Sequence, residues 1–363
     1  MERRATKRQA LRGGTERQRE PREAANGGPS MSGEEWENMT ALVTGAAGSM
    51  GSHLVKDLLA EGQHVRGLVR SEDQAAALRS QGAEAVVCDV RDPAAVTTAV
   101  NGVDVVYHCA AARGGRYSRD EIYAINLGGA RNVLEALRQA GKGRLVLVSG
   151  IGVLGIRNLD NANEDFPYRR SNDPHSDVKI DAELVALDFH RRYGVDLTIL
   201  RPGLVYGPRD TNTPRLLDAI RSGKLVFIGS RENLIPMLHV SDMVQALRLA
   251  AAAPQATGRI YHLTDGQQTT VAQFIGYLAE LINCPAPQKV LPYAIPCAVC
   301  LLFEWLRRLH LTISSGPIKK DGLRFLGTSR SFDITRARQE LGYSPRMTFR
   351  EGMAATIQSI LKK

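Results

Sequence analysis

The sequence predicts an α/β fold: a doubly wound parallel sheet followed by a smaller C-terminal lobe. Two observations carry that reading. From Thr40 onward, short runs rich in Val, Leu and Ile alternate with helical stretches, the signature of repeated strand and crossover helix. A glycine-spaced turn, TGAAGSMG at 44–51, joins the first strand to the first helix. With 363 residues, 43% of them hydrophobic and 6% aromatic, the chain is long enough for one sizeable domain, or one and a half.

The elements follow in order. Residues 1–38 are rich in Arg, Glu and Gly and nearly devoid of large apolar side chains, so they are expected to be disordered. Arg3 and Arg4 are followed by no apolar core, so no export signal is read there, and Met31 and Met39 are alternative starts. TALVTG forms the first strand. Gly45, Gly48 and Gly51 then give GxxGxxG: the first permits the tight turn, the second lets a pyrophosphate approach the backbone, and the third lets helix pack on strand. In SMGSHLVKDLLAEG, the spacing of Met50, Leu54, Val55, Leu58 and Leu59 predicts a helix with one buried face, stopped by Gly62.

HVRGLVR is the second strand, and its end tests the kind of dinucleotide. An Asp or Glu there would hold a ribose 2′-hydroxyl, but Val69 fills the position and Arg70 follows. No carboxylate repels a 2′-phosphate and a guanidinium can bind one, so NADP is the preferred cofactor and NAD the alternative. The next strands are AEAVVCDV, with Asp89 and Val90 placed to face an adenine, then DVVYHCAA, RLVLVSG and DLTILRPG. Between the last two lies DPHSDVKIDAE, 173–183, where His175 precedes Lys179 by one helical turn and shares its face.

Composition excludes several classes. The formal charge is +9, but residues 1–38 hold eight basic and seven acidic residues, and the rest is dispersed without aromatic interleaving, so no nucleic-acid partner is expected. Five scattered cysteines suit buried thiols in a reducing, cytoplasmic compartment. Cys297 and Cys300 make a single CxxC inside an apolar run, with nothing to complete a metal site. LPYAIPCAVCLLFEWLRRLHL, 291–311, is the most apolar stretch; its uninterrupted part is too short to span a bilayer. It reads as a buried helix, or as a peripheral membrane contact with Trp305, Arg307 and Arg308 at the lipid boundary.

Over nearly all of 40–360 these residues resemble the extended short-chain dehydrogenases/reductases. The resemblance rests on TGAAGSMG, CDV at 88–90, HCAA at 108–111, NLGGARNVLEA at 126–136, RPGLVYGP at 201–208 and LHVSDM at 238–243. The tail LRFLGTSRSFDITRARQELGYSPRMTFREGM is most similar to the branch of 3β-hydroxysteroid dehydrogenases, dihydroflavonol reductases and nucleotide-sugar epimerases. The resemblance implies a Rossmann domain at 39–205 that binds NAD(P), and a substrate lobe at 206–363 with short returns to the sheet. Cofactor contacts are implied at Gly45, Ala47, Gly48, Ser49, Met50, Gly51, Arg70, Asp89, Val90, Ala110, Ala111, Asn126, Lys179 and Pro202. It also implies a homodimer built on two helices from each subunit.

Catalysis in such proteins resembles a YxxxK pair plus a Ser or Thr after the fifth strand. Carried over, Lys179 takes the lysine role, binding the nicotinamide ribose. His175 stands where the tyrosine would be, and Gly150 where the hydroxyl would be, with Ser149 just before it. A neutral imidazole beside a lysine can accept a proton but is a poor donor, which favours alcohol oxidation. Two function classes follow. One is an oxidoreductase or epimerase acting on the hydroxyl or keto group of a small, sterol-like or nucleotide-sugar substrate, through His175, Lys179 and Ser149. The other is a catalytically silent NAD(P)-binding sensor or scaffold.

Overall fold

The computed structural model describes residues 38–113, 117–295 and 327–362, with Trp36 and Ala298 as isolated positions. Seven strands make the central sheet: β1 (Thr40–Thr44), β2 (His64–Val69), β3 (Glu84–Val87), β4 (Val105–His108), β5 (Arg144–Val148), β6 (Asp196–Pro202) and β7 (Arg259–Leu263). All neighbours are parallel and the order is β7-β6-β5-β4-β1-β2-β3. The chain therefore winds one way from β1 and then the other. The switch lies between β1 and β4, whose last paired residues are Thr44 and His108. A crevice opens there at the carboxyl ends of the strands.

The two-residue period of the strands builds two cores. Ala41 and Val43 of β1, Val105 and Tyr107 of β4, and Val146 and Val148 of β5 all enter one cluster. The intervening Leu42, Val106, Leu145 and Leu147 enter the other. On the first face lie helix α1 (Ser49–Ala60), with Leu54, Val55 and Leu58 buried, and the later helix Val240–Ala252. Gly129–Ala140 and α2 (Pro174–Tyr193) cover the second. Each fully buried Leu or Val contributes roughly 1.5–3 kcal/mol, so the sheet is held mainly by these two layers.

The six strands expected from the sequence are β1 to β6. The seventh, β7, comes from the lobe stretch, where short returns to the sheet were expected but RIYHL was not singled out as one of them. The lobe has its own core of Tyr206, Leu217, Phe274, Phe349 and Met353. Leu291 belongs to a two-residue strand, Val290–Leu291, paired with Phe227–Ile228. Most of 291–311, Cys297 and Cys300 fall outside the described residues, as does nearly all of 1–38. Trp36 is the exception in that first segment: it packs against the first core, its carbonyl accepts from Gln63 Nε2 at 3.0 Å, and the Arg248 guanidinium lies over its ring. Among the described residues no helix is long and apolar enough to cross a membrane.

Candidate active site

The glycine turn is shaped for close approach. Gly45 has φ +68°, and a Cβ there would stand 3.0 Å from the backbone of Ala110 at the end of β4. A Cβ on Gly51 would lie 2.3 Å from the Gly45 carbonyl oxygen, so only glycine lets α1 start this close to the strand. Gly48 precedes the helix and no side chain caps it. The amides of Ser49, Met50 and Gly51 thus begin a helix without intrahelical acceptors, and the positive end of its dipole faces the crevice. These features fit a dinucleotide pyrophosphate. The loop after β6 closes over the same turn: Arg209 donates to the Ala47 carbonyl at 3.3 Å, and His53 bonds the Pro208 carbonyl at 3.0 Å.

At the end of β2, Val69 is buried and Arg70 is exposed, its Nη1 donating to Tyr117 Oη at 2.7 Å. Asp89 pairs with Arg91 at 2.7 Å, which is the main cause holding its carboxyl below the usual range. Arg91 was not picked out from the sequence, though it sits beside the two residues that were. Val90 is buried against Gly129, and its carbonyl accepts from Asn132. Ala110 N donates to Thr44 Oγ1 at 3.2 Å, and Ala111 is exposed beside it. Asn126 is wholly engaged: Ala112 N donates to its Oδ1 at 2.7 Å, and its Nδ2 donates to Ala112 O at 3.0 Å. It fixes the chain after β4.

The same carbonyl meets the candidate base. His175 Nδ1 lies 3.1 Å from Ala112 O. A carbonyl only accepts, so Nδ1 carries the proton and Nε2 keeps its lone pair. His175 stands in the first turn of α2, which begins at Pro174 with Asp173 as its cap, and the helix dipole there opposes a positive charge. Burial first, then the charges of Arg113 and Lys179, push the imidazole down to about 4. One turn on, Lys179 is buried and donates to Val148 O, the last carbonyl of β5, at 2.6 Å. Burial, then Arg113, lowers it to about 8. The structure thus brings His175 and Lys179 to one face, at the ends of β4 and β5.

Ser149 is turned elsewhere. Its hydroxyl donates to Glu183, a fully buried carboxylate that also accepts from Tyr168 Oη at 2.8 Å and Arg201 Nη2 at 2.7 Å. Tyr168, on the loop before α2, thus joins this cluster. Gly150 has extended backbone, and a Cβ there would meet only the Pro202 carbonyl, at 3.8 Å. Room for a hydroxyl-bearing side chain exists where the chain has none. Glu183 and Arg201 both lie in motifs quoted from the sequence, yet nothing in those motifs signalled that they pair. Among the described residues there is no group of His, Cys, Asp and Glu that could hold a metal.

The profile of the NAD dependent epimerase/dehydratase family matches residues 41–263. A 2-alkyl-3-oxoalkanoate reductase of Shewanella oneidensis is 30% identical, covering 86% of this chain and 84% of its own. A decarboxylating sterol-4-alpha-carboxylate 3-dehydrogenase of Mus musculus is 28% identical, covering 87% and 90%. Among solved structures, a dTDP-glucose 4,6-dehydratase of Streptomyces venezuelae with NAD bound superposes with a TM-score of 0.72 at 25% identity, over 90% of this chain and 98% of that one. With its doubly wound sheet, its glycine turn and a match that spans both the first and the last sheet strand, this chain belongs to the NAD dependent epimerase/dehydratase family of extended short-chain dehydrogenases/reductases.

Proposed function

We propose that this chain is an NAD(P)-dependent oxidoreductase that interconverts a secondary alcohol and its ketone on an apolar skeleton carrying a carboxylate on the adjacent carbon. Two relatives support that substrate class. One is named for 3-oxo acids alkylated at carbon 2, the other for a sterol oxidised at carbon 3 with a carboxylate at carbon 4. In both names the reacting oxygen sits β to the carboxyl carbon.

His175 is the proposed base and Lys179 the cofactor-ribose ligand. When bound, the nicotinamide supplies the hydride acceptor. As the carbinol carbon becomes a carbonyl, its hydroxyl proton grows strongly acidic, so even a weakly basic Nε2 can take it. The reverse reduction draws on protonated His175, which burial and the neighbouring charges make scarce at neutral pH, so the site is suited to taking the alcohol proton. Arg70, with Arg91 close by, supports a preference for NADP over NAD. The outward Leu184 and Tyr193 of α2 suit a homodimer through that helix.

The observation that carries this reading is the bond from His175 Nδ1 to Ala112 O, which leaves a lone pair on Nε2 one turn from Lys179. The test is oxidation of a 2-alkyl-3-hydroxyalkanoate with NAD or NADP. His175→Ala is expected to lower turnover by about 10²–10⁴-fold while sparing nucleotide affinity. Undiminished turnover overturns the role of His175. A second reading, a silent nucleotide-binding protein, draws on Gly150 and on the engaged Ser149; nucleotide binding with no turnover of any alcohol would establish it.

A further inference from the structure

Ala112 is held twice, by Asn126 through both its peptide groups and by His175 through its carbonyl. The next residue, Arg113, is exposed, and its backbone position is fixed by that grip on the preceding peptide. Among the described residues no carboxylate or carbonyl bonds its guanidinium. Two acidic groups beside this helix are committed elsewhere: Asp173 caps α2 through the backbone amide of Ser176 at 2.9 Å and its hydroxyl at 2.6 Å. Glu183 is sealed against Arg201. Arg113, which follows the peptide bonded to His175, and Lys179, one turn from it, are thus the two cations within electrostatic reach of the imidazole. Arg113's charge ranks directly after burial among the causes that depress both His175 and Lys179.

We infer that Arg113 is the specificity-determining residue that binds the substrate carboxylate. A guanidinium presents two parallel N–H groups that match the two oxygens of a carboxylate, and it stays charged throughout the pH range of the protein. Fixed on the peptide that also orients His175, it holds an acid group one carbon from the hydroxyl that faces Nε2. The bound carboxylate also adds negative charge beside two cations that no carboxylate hydrogen-bonds among the described residues. The inference rests on the proposed substrate class, and its test is separable from turnover.

The probe is 2-hexyldecanoate, an alkyl acid with no hydroxyl to oxidise, titrated by calorimetry into the full chain with saturating NADP. Binding is expected, with no binding of its methyl ester. Arg113→Ala should weaken the acid by about 10–100-fold, the loss of a charge-assisted pair, and Arg113→Lys should recover part of it. Nucleotide affinity should stay unchanged in both variants. Equal affinity for acid and ester, equal affinity of Arg113→Ala for the acid, or no binding of the acid by the unmodified protein overturns the inference. A parallel assay with 2-hexyl-3-hydroxydecanoate separates the two readings. Oxidation without discrimination between acid and ester keeps the oxidoreductase and removes Arg113 from its role. Discriminating binding without oxidation keeps Arg113 and removes the activity.

Discussion

Lys179 and Arg201 are both buried cations, on neighbouring elements at the same end of the sheet, and they are treated in opposite ways. Arg201 is 1% exposed and is met by Glu183 through both Nε and Nη2, with the Glu164 carbonyl at 3.3 Å on its remaining side. Lys179 is 7% exposed and is given one backbone carbonyl and no carboxylate. A buried ion pair that is fully hydrogen-bonded is a structural element. A buried cation left without a counter-charge is costly to the fold, and such cost is retained where a ligand supplies the balance. The difference separates a scaffold cluster (Ser149, Tyr168, Glu183, Arg201) from the proposed working face (Arg113, His175, Lys179) beside it.

The strongest way to break this contrast is to remove one partner on each side. Glu183→Ala should destabilise the protein by about 3–5 kcal/mol in denaturant titration, because it strands the Arg201 charge in the core. Lys179→Met should leave stability within about 1 kcal/mol or raise it, since it removes a buried charge that no carboxylate hydrogen-bonds, while weakening nucleotide binding. Similar destabilisation by both changes would erase the distinction.

Acid acts more gradually. His108 and His262 are buried and pushed down to about 3, mainly by burial, and His175 to about 4. All three are depressed below their ordinary value of about 6.5, so on acidification the unfolded chain takes up protons first. Their contribution is complete above about pH 6.5 and is lost as pH falls toward 3–4, at about 1.4 kcal/mol per pH unit for each group. Chemical denaturation at pH 7, 6 and 5 should show that progressive loss. A flat profile would mean that these imidazoles are already charged in the fold.

The smallest expected effect sharpens the working face at its far edge. Arg70 is exposed, and its bond to Tyr117 contributes little to folding. Arg70→Ala should therefore leave the melting temperature unchanged while reducing the preference for NADP over NAD by about tenfold, the scale of one charge-assisted contact. Equal affinities for the two nucleotides in the unmodified protein would remove the basis for that preference.

The sequence alone determined what depends on local pattern. Alternating apolar residues and turn glycines specified β1 to β6 and the glycine turn, because strand period, helix period and positive φ are properties of neighbouring residues. The four-residue spacing of His175 and Lys179 put both on one face for the same reason. Tertiary structure decided what depends on distant pairing. β7 joins the sheet from within the lobe segment, through contacts with β6 some sixty residues earlier. Ser149 stands just after β5, and its commitment to Glu183 required α2 to fold back over β5. Likewise, only the meeting of the β4 loop with α2 fixed the tautomer of His175 and set Arg113 beside it, since a hydrogen bond across 63 residues leaves no trace in spacing.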